Sequence, residues 1–481
     1  MLENYFRNFM GASPAWYKIA IAFFLAVNPL IYALCGGFIA GWILVAEFIF
    51  TLAMALKCHP LQPGGLLAME AVVIGMATPE MVYKEAHANF PVIMLLMFMV
   101  AAIHFMQEFL ILIFTRIFIA VRSKKTLSLV FLVVSAFLSA FLDALTVMAV
   151  LITVSHGFYG VYHQYQSVHG ENDEELASLR WFLRDLLMHG AVGTALGGVM
   201  TLVGEPQNLI IASIMGWSFV EFFLKMIPVT GPVFIIGAFI CFMVEQFKMF
   251  GYGGTLPENA RHVISTHARQ AAVTMDGRMK ARIYTQAACG LVLIFALAFH
   301  VAEVGVIGLG LIIVLTALNG ITDERAIGKA FHEALPFTAL IVVFFAVVAV
   351  IHEQHLFAPV IEWTMRMEGS ARRVAFFGAS GILSAISDNV FVATIYIAEA
   401  KKAFDTGLLS RAEYDLIAIA INTGTNIPSV ATPNGQAAFL FLLTSSIAAL
   451  IRLSYMKMIV MAAPYTVGMT VTALLAVVFL L

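Results

Sequence analysis

Long apolar runs alternate along the chain with short polar connectors, and the runs set its architecture. A helix needs about 20 predominantly apolar residues to cross a bilayer. Such runs lie near 17–35, 38–56, 62–78, 91–121, 222–246, 286–301, 304–320, 333–351 and 456–481, and each predicts a spanning helix. Four further stretches, 127–164, 181–220, 374–400 and 415–450, are apolar but interrupted. Their interruptions are polar or rich in Gly and Pro, and they fall where mid-membrane should be. Non-helical backbone is tolerated at that depth only when protein or a water-filled cavity satisfies it. The chemistry is therefore expected at the breaks.

Composition agrees with the pattern. Of 481 residues, 61% are hydrophobic and 12% charged, with a mean hydropathy of +0.93. Soluble chains carry roughly 25% charged residues, so the three soluble domains that length alone would predict have too little polar surface. The reading is an all-α polytopic membrane protein. A net charge of −2 gives no polyanion-binding surface, so nucleic acid is not an expected partner. Cys35, Cys58, Cys241 and Cys289 are scattered and form no disulfide framework or zinc motif. The mixed first sixteen residues are not expected to be a cleaved signal.

Lys and Arg accumulate on the cytoplasmic side of membrane proteins. The turn at 122–125 is basic, and the connector 247–285 carries six Lys and Arg against Glu258 and Asp276, a net +4. Placing both inside puts the N-terminus in the cytoplasm and residues 79–90 outside. That scheme requires 127–164 to dip into the membrane and return to the same side.

A weak internal repeat supports the dip. Residues 137–147 read FLSAFLDALTV and residues 382–392 read ILSAISDNVFV, with Asp143 aligned to Asp388. Each copy is followed by a second interrupted segment, GTALGGVMTLVGEPQNLII (193–211) and INTGTNIPSVATPNGQAAF (421–439). Aligning Pro206 with Pro433 leaves a shortfall nearly matched by the acidic connector 165–180. With the topology above, the copies enter from opposite sides, giving an inverted repeat of the kind whose interface holds the site in secondary transporters.

The breaks are rich in oxygen donors: Thr201, Glu205, Gln207 and Asn208 in the first, and Asn422, Thr423, Thr425, Asn426, Ser429, Thr432, Asn434 and Gln436 in the second. Unwound carbonyls and helix ends at such breaks can coordinate a cation, whereas a lone Ser or Thr commonly bonds back to its own helix. A carboxylate at the membrane centre costs about 2.5–3.5 kcal/mol and normally marks an ion or proton pathway. Asp143 and Asp388 are such residues, though Asp is also a favoured helix N-cap. Desolvation favours a protonated carboxyl and a nearby cation the ionised form, so one group holds a proton or a cation in turn. Glu47, Glu70, Glu108, Arg116, His104, Asp185, His189 and Glu303 are relay members or interhelical pairs. His352–His355 departs from the HExxH zinc pattern by one residue and reads as the polar end of a span. The chain has neither a GxSxG elbow nor a GxxxxGK loop, which argues against an intramembrane serine hydrolase of the usual kind and against an ATP-driven pump; with no nucleophile–base pair or metal cluster in the sequence either, an enzyme is not expected.

LVAEFIFTLAMALK (44–57), FLSAFLDALTV, GGVMTLVGEPQNLII (197–211), SDNVFVATIYI (387–397) and NTGTNIPSVATPNGQAAFLFLLTS (422–445) together resemble the NhaB sodium/proton antiporters of Gram-negative bacteria. The looser LSAFLD and GG-x₅-G-x-P-x-N pattern is shared with a wider ion transporter superfamily that includes arsenite exporters and dicarboxylate carriers. The resemblance implies a bacterial inner-membrane homodimer and an elevator-type fold with two re-entrant helical hairpins and two broken transmembrane helices. Scaffold helices would occupy 1–125 and 221–372, transport elements 126–220 and 373–450, and a terminal helix 451–481. It also implies exchange of Na⁺ (or Li⁺) for H⁺, with Asp143 as the sodium-binding carboxylate and no cofactor. Asp143, Thr146, Thr201, Glu205 and Asn208 are the first set of candidate ligands. Asp388, Asn389, Asn422, Thr423, Thr425, Asn426, Thr432 and Asn434 are the second. The rival within the superfamily is a Na⁺-coupled carrier of a small anion or metalloid hydroxide; an Arg at the tips would favour it, and neither tip has one.

Overall fold

A computed structural model describes residues 2–170 and 172–481, and among these residues every regular element is helical. Six helices are long and apolar enough to cross a membrane: Ala15–Ala53, Ala144–His169, Phe219–Phe247, Gly277–Ala298, Ala334–Glu353 and Tyr455–Phe479. The pair Pro79–Ala88 and Phe90–His104, bent by 65°, is a seventh candidate. Large apolar side chains such as Leu34, Ile235, Val467 and Phe479 point outward, as a lipid-facing surface requires.

The first long helix turns on itself. Gly36 adopts φ 78°, ψ 172° inside Ala15–Ala53, a conformation that glycine enters without a Cβ penalty. Phe50 consequently stacks on Tyr17 at 5.7 Å and meets Phe24 at 5.6 Å. Residues 15–35 and 37–53 are thus the two antiparallel spans expected from the sequence. Between them, Asn28 donates to Glu47 at 2.8 Å and to Glu70 of Leu61–Val73 at 3.0 Å, so two of the charges read as interhelical pairs share one amide. The predicted span 91–121 is instead interrupted at residues 105–106. His352 ends its helix against Glu85 at 2.8 Å.

The interrupted stretches form two similar assemblies. Lys124–Ser139 and Ala144–His169 are joined at residues 140–143, and Asp173–Gly198 is separated from Pro206–Met215 by residues 199–205. Lys124–Ser139 runs parallel to Asp173–Gly198 at a constant offset of 61 residues. Lys124 pairs with Asp185, the Leu132 and Ala136 carbonyls face Gly193 and Gly197, and the Thr201 hydroxyl donates to the Ala140 carbonyl. Ala144–His169 then returns to the starting end. Its Leu151 lies over Gly190, and its Phe158 packs against Phe118 with ring centroids 4.3 Å apart and planes tilted by 35°, while Phe118 also meets Phe182.

The second assembly comprises Gly369–Ser384, Asn389–Asp405, Arg411–Asn426 and Ala437–Thr444. Here the parallel offset is 47: the Phe377 carbonyl faces Gly424, Gly381 faces Pro428, and the Thr432 hydroxyl donates to the Ala385 carbonyl. Phe404 stacks on Tyr414 at 4.9 Å, which brings the return leg back to its start. The second broken helix begins where the first ends, with Arg411 donating to the Met215 carbonyl at 2.8 Å and Asp415 pairing with Lys225 at 2.7 Å. It ends near the return leg of the first hairpin, where His156 lies 2.9 Å from Ser446.

These contacts correct the alignment of the breaks. Gly204 packs on the Gly198 and Ser139 carbonyls and Gly435 on the Ser429 and Ser384 carbonyls, while Thr201 and Thr432 each accept from the backbone N–H three residues on. The matching spacing is 231, so Gly204 rather than Pro206 has its counterpart at Gly435. Pro206 opens a helix at its first turn, whereas Pro433 lies inside a turn; both break a helix, at different places.

Most of the acidic connector is helix. Asn172 caps Asp173–Gly198 by accepting from the Glu175 N–H at 3.2 Å, and three acidic residues in the first turn suit the positive helix end. Glu171 lies outside the described residues.

Candidate cation and proton site

Both tip aspartates are helix N-caps. Asp143 Oδ2 accepts from the Leu145 and Thr146 N–H groups at 3.0 and 3.3 Å, and Asp388 Oδ1 from Val390 and Phe391 at 2.8 and 3.4 Å. Capping satisfies two of the four N–H groups a helix leaves unpaired and places each carboxylate at a positive helix end. Capping is compatible with a site role, and both tips end at one cavity.

That cavity, about 10 Å³, is the space one water molecule or bare cation needs. It is lined by Asp143, Leu145, Glu205, Pro206, Gln207, Phe337, Asp388, Asn389, Val390, Gly435 and Ala437. Three carboxylates from three separate segments meet there, and among the described residues no Lys, Arg or His lines it. Four helices, beginning at Ala144, Pro206, Asn389 and Ala437, start beside it.

The remaining candidates divide by what their polar atoms do. Asn208 donates at 2.7 Å to both the Gly198 and Thr201 carbonyls and accepts from Asn426 at 3.1 Å. Asn426 in turn accepts from Gln207 at 2.8 Å, so these amides stitch the two breaks together behind the cavity. Thr201 and Thr432 clamp the hairpin tips. Thr423 and Thr425 donate back to Ile419 and Asn422 of their own helix at 2.7 and 2.9 Å, the bland behaviour of Ser and Thr in spans. Asn422 donates toward Met226 and Asn434 to Ala53 at 3.0 Å. Thr146 is buried beside Asp143 and contributes its backbone N–H. Of the thirteen candidates, Asp143, Glu205, Asp388 and Asn389 line the cavity. Phe337, from the helix Glu324–Glu353, lines it without having been marked by any polar signal.

A second buried ionic cluster lies at the entry end of the first hairpin. Lys124 pairs with Asp185 at 2.8 Å and Glu245 at 2.9 Å, and Glu245 also accepts from Ser128 at 3.0 Å. His189 bridges Glu245 at 2.9 Å and Tyr465 at 2.8 Å. Asp185 and His189 are thus members of an interhelical network.

The profile of the family described as bacterial Na⁺/H⁺ antiporter B (NhaB) matches residues 1–481. The chain belongs to the NhaB family. It is 57% identical over 488 residues to the Na(+)/H(+) antiporter NhaB of Yersinia enterocolitica, covering 99% of this chain and 93% of the relative. It is 57% identical over 490 residues to that of Citrobacter koseri, covering 99% and 95%. It is 56% identical over 493 residues to that of Pasteurella multocida, covering 100% and 96%. The NhaB resemblance read from the five motifs is therefore borne out along the whole chain. With several helices able to cross a bilayer, this NhaB member is a multi-pass membrane protein.

Proposed function

We propose that this chain is a secondary antiporter that exchanges Na⁺, and by the same chemistry Li⁺, for H⁺ across the bacterial inner membrane. The observation that carries the reading is the meeting of Asp143, Asp388 and Glu205 around one cavity the size of a single ion. Carboxylates there hold a proton or a hard cation in turn, and their shared sign rejects an anionic cargo. The cavity therefore favours cation exchange over the anion-carrier alternative. The names of the NhaB relatives, Na(+)/H(+) antiporters, support the same cargo.

In this proposal the two hairpins are re-entrant and the two assemblies form an inverted repeat, supported by the recurring 245 and 231 spacings and by the contacts between the end of one broken helix and the start of the other. Segments 126–220 and 373–450 move as a transport unit against the scaffold of a homodimer, and the N-terminus is cytoplasmic. Asp143 holds the cation with Asp388 and Asn389 opposite; proton uptake by the aspartates releases it on the other side.

The test is exchange in proteoliposomes with a preset pH gradient and a pH-sensitive dye. Na⁺ or Li⁺, but not choline, is expected to collapse the gradient in the wild type. Asp143→Asn, whose amide cannot take up a proton, should fold and insert but show no exchange. Full exchange in that variant would remove Asp143 from the mechanism.

A further inference from the structure

The helix Gln107–Ala120 and the connector helix Glu258–Thr274 run in opposite directions and are tied together near both ends. At one end Arg261 donates to the Val121 and Arg122 carbonyls at 3.3 and 3.1 Å. At the other, just past Thr274, Arg282 pairs with Glu108 at 2.9 Å. Between the ties opens a groove of about 750 Å³, lined also by the hairpin return leg Ala144–His169 and the start of Gly277–Ala298.

Ile111, Leu112, Val154, Phe158 and Met279 give the groove apolar walls. Among the described residues, four of the six polar side chains that line it are already engaged. Glu108 holds Arg282, Asp276 accepts from the Met279 N–H at 2.7 Å, and Thr153 and Thr274 donate back to their own helices at 2.8 and 3.0 Å. On the connector helix the lining includes Ala271 and Ala272, both exposed, too small to fill the space. Walls without partner atoms forgo dispersion contacts, so an apolar occupant would gain them.

Beside these walls stand free cations. Arg116 is one helical turn beyond Leu112, Arg269 follows Ala268, and Arg278 and Lys280 flank Met279. All four are exposed, and none pairs with a carboxylate among the described residues. With Glu108 and Arg282 cancelling, Asp276 is the one acid of the lining that opposes them, leaving a net +3. Basic pockets between membrane helices on the cytoplasmic side hold anionic lipid head groups. An apolar slot beside unpaired cations fits a molecule that carries both an acyl chain and a phosphate.

We propose that this groove binds an anionic phospholipid, with an acyl chain along its walls and the phosphate held by Arg269, Arg278 and Lys280. On the orientation proposed above, the lipid comes from the cytoplasmic leaflet; binding itself does not depend on ion exchange. One wall belongs to the first hairpin and the others to helices outside it, so the lipid joins the two.

The test is native mass spectrometry of the detergent-purified full chain, titrated with dioleoyl phosphatidylglycerol or dioleoyl phosphatidylcholine, which share their chains and differ in net charge. The wild type should retain one phosphatidylglycerol, held about tenfold or more tighter than phosphatidylcholine. Arg278→Gln removes one basic residue and should weaken phosphatidylglycerol by about fivefold while leaving phosphatidylcholine unchanged. Ala271→Trp fills the groove from an exposed position and should lose the retained lipid; Ala272→Trp takes its place if that variant does not fold. Equal retention of the two lipids by the wild type would mean a non-selective annulus and overturn the proposal. So would full phosphatidylglycerol retention in a monodisperse Trp variant. A dimer that the Trp variant splits with no change in lipid retention would assign the groove to a second copy of the chain, and also overturns it.

Discussion

Replacing Gly197 by Ala probes how the first hairpin is held to its broken helix. A Cβ at Gly197 would sit 1.8 Å from the Ala136 carbonyl oxygen and 2.7 Å from its Cα. Both neighbours are backbone, so no side chain can rotate away. Opening 1.8 Å to the 3.4 Å of ordinary contact takes 1.6 Å of separation between two parallel helices. Overpacking of this kind costs about 1–3 kcal/mol or more, while exchanging Gly for Ala inside a helix returns about 0.8–1 kcal/mol. Because only backbone can give way, the overpacking cost sits at the upper end of that range and the net is destabilisation by about 2 kcal/mol or more, with the Asp143 tip displaced from Glu205. The control is Gly157→Ala in the return leg, where nothing lies within 4 Å and only the helix gain remains. Apparent Tm of detergent-purified protein, followed by size-exclusion recovery after heating, should fall for Gly197→Ala and hold or rise for Gly157→Ala. Na⁺-driven collapse of a pH gradient should slow in the first variant alone. A Gly197→Ala protein with unchanged Tm and exchange rate would refute the close parallel packing on which the site is built.

Three other substitutions have defined outcomes. Lys124→Met leaves Asp185 and Glu245 buried without their shared ammonium; losing one partner of a buried pair costs about 3–5 kcal/mol, so thermal recovery should drop sharply and be partly restored by adding Asp185→Asn. Asn28→Ala strips the donor from both Glu47 and Glu70, and the orphaned acceptors should lower stability by about 1–3 kcal/mol in the same heating assay. Lys401→Ala breaks a helix-surface pair with Asp405 whose members are 47% and 54% exposed; by contrast it should change stability by no more than about 0.5 kcal/mol.

The sequence exposes what is chemically out of place and hides what is merely well packed. Asp143 and Asp388 were legible because a charge inside an apolar run has few structural uses. The 15–35 and 37–53 spans were legible because Gly36 and Gly37 interrupt a run too long for one crossing. Phe337 was not, since one phenylalanine among many in an apolar helix carries no mark of facing a cavity. Thr423 and Thr425 have the composition of ligands, yet their hydroxyls turn back onto their own helix, a choice made by rotamer and neighbour rather than by residue type. Lys124 was read only as part of a basic turn. Its ammonium folds inward onto Asp185 and Glu245, partners 61 and 121 positions away. Proline marks that a helix breaks but not how the broken ends are threaded, which is why Pro206 and Pro433 misaligned the two halves by four residues.

The fixed offset of 61 between the first hairpin leg and its broken helix has a mechanical consequence. Glycines at 193 and 197 seat on the Leu132 and Ala136 carbonyls like teeth in a rack, and Thr201 pins the last notch to Ala140. Slippage by one helical turn, about 5.4 Å, would drive side chains into backbone. The tip therefore has no free play to swing aside as a door for the ion. Under the proposed exchange, a block held together in this way would keep its cavity intact if it moved as the proposed transport unit.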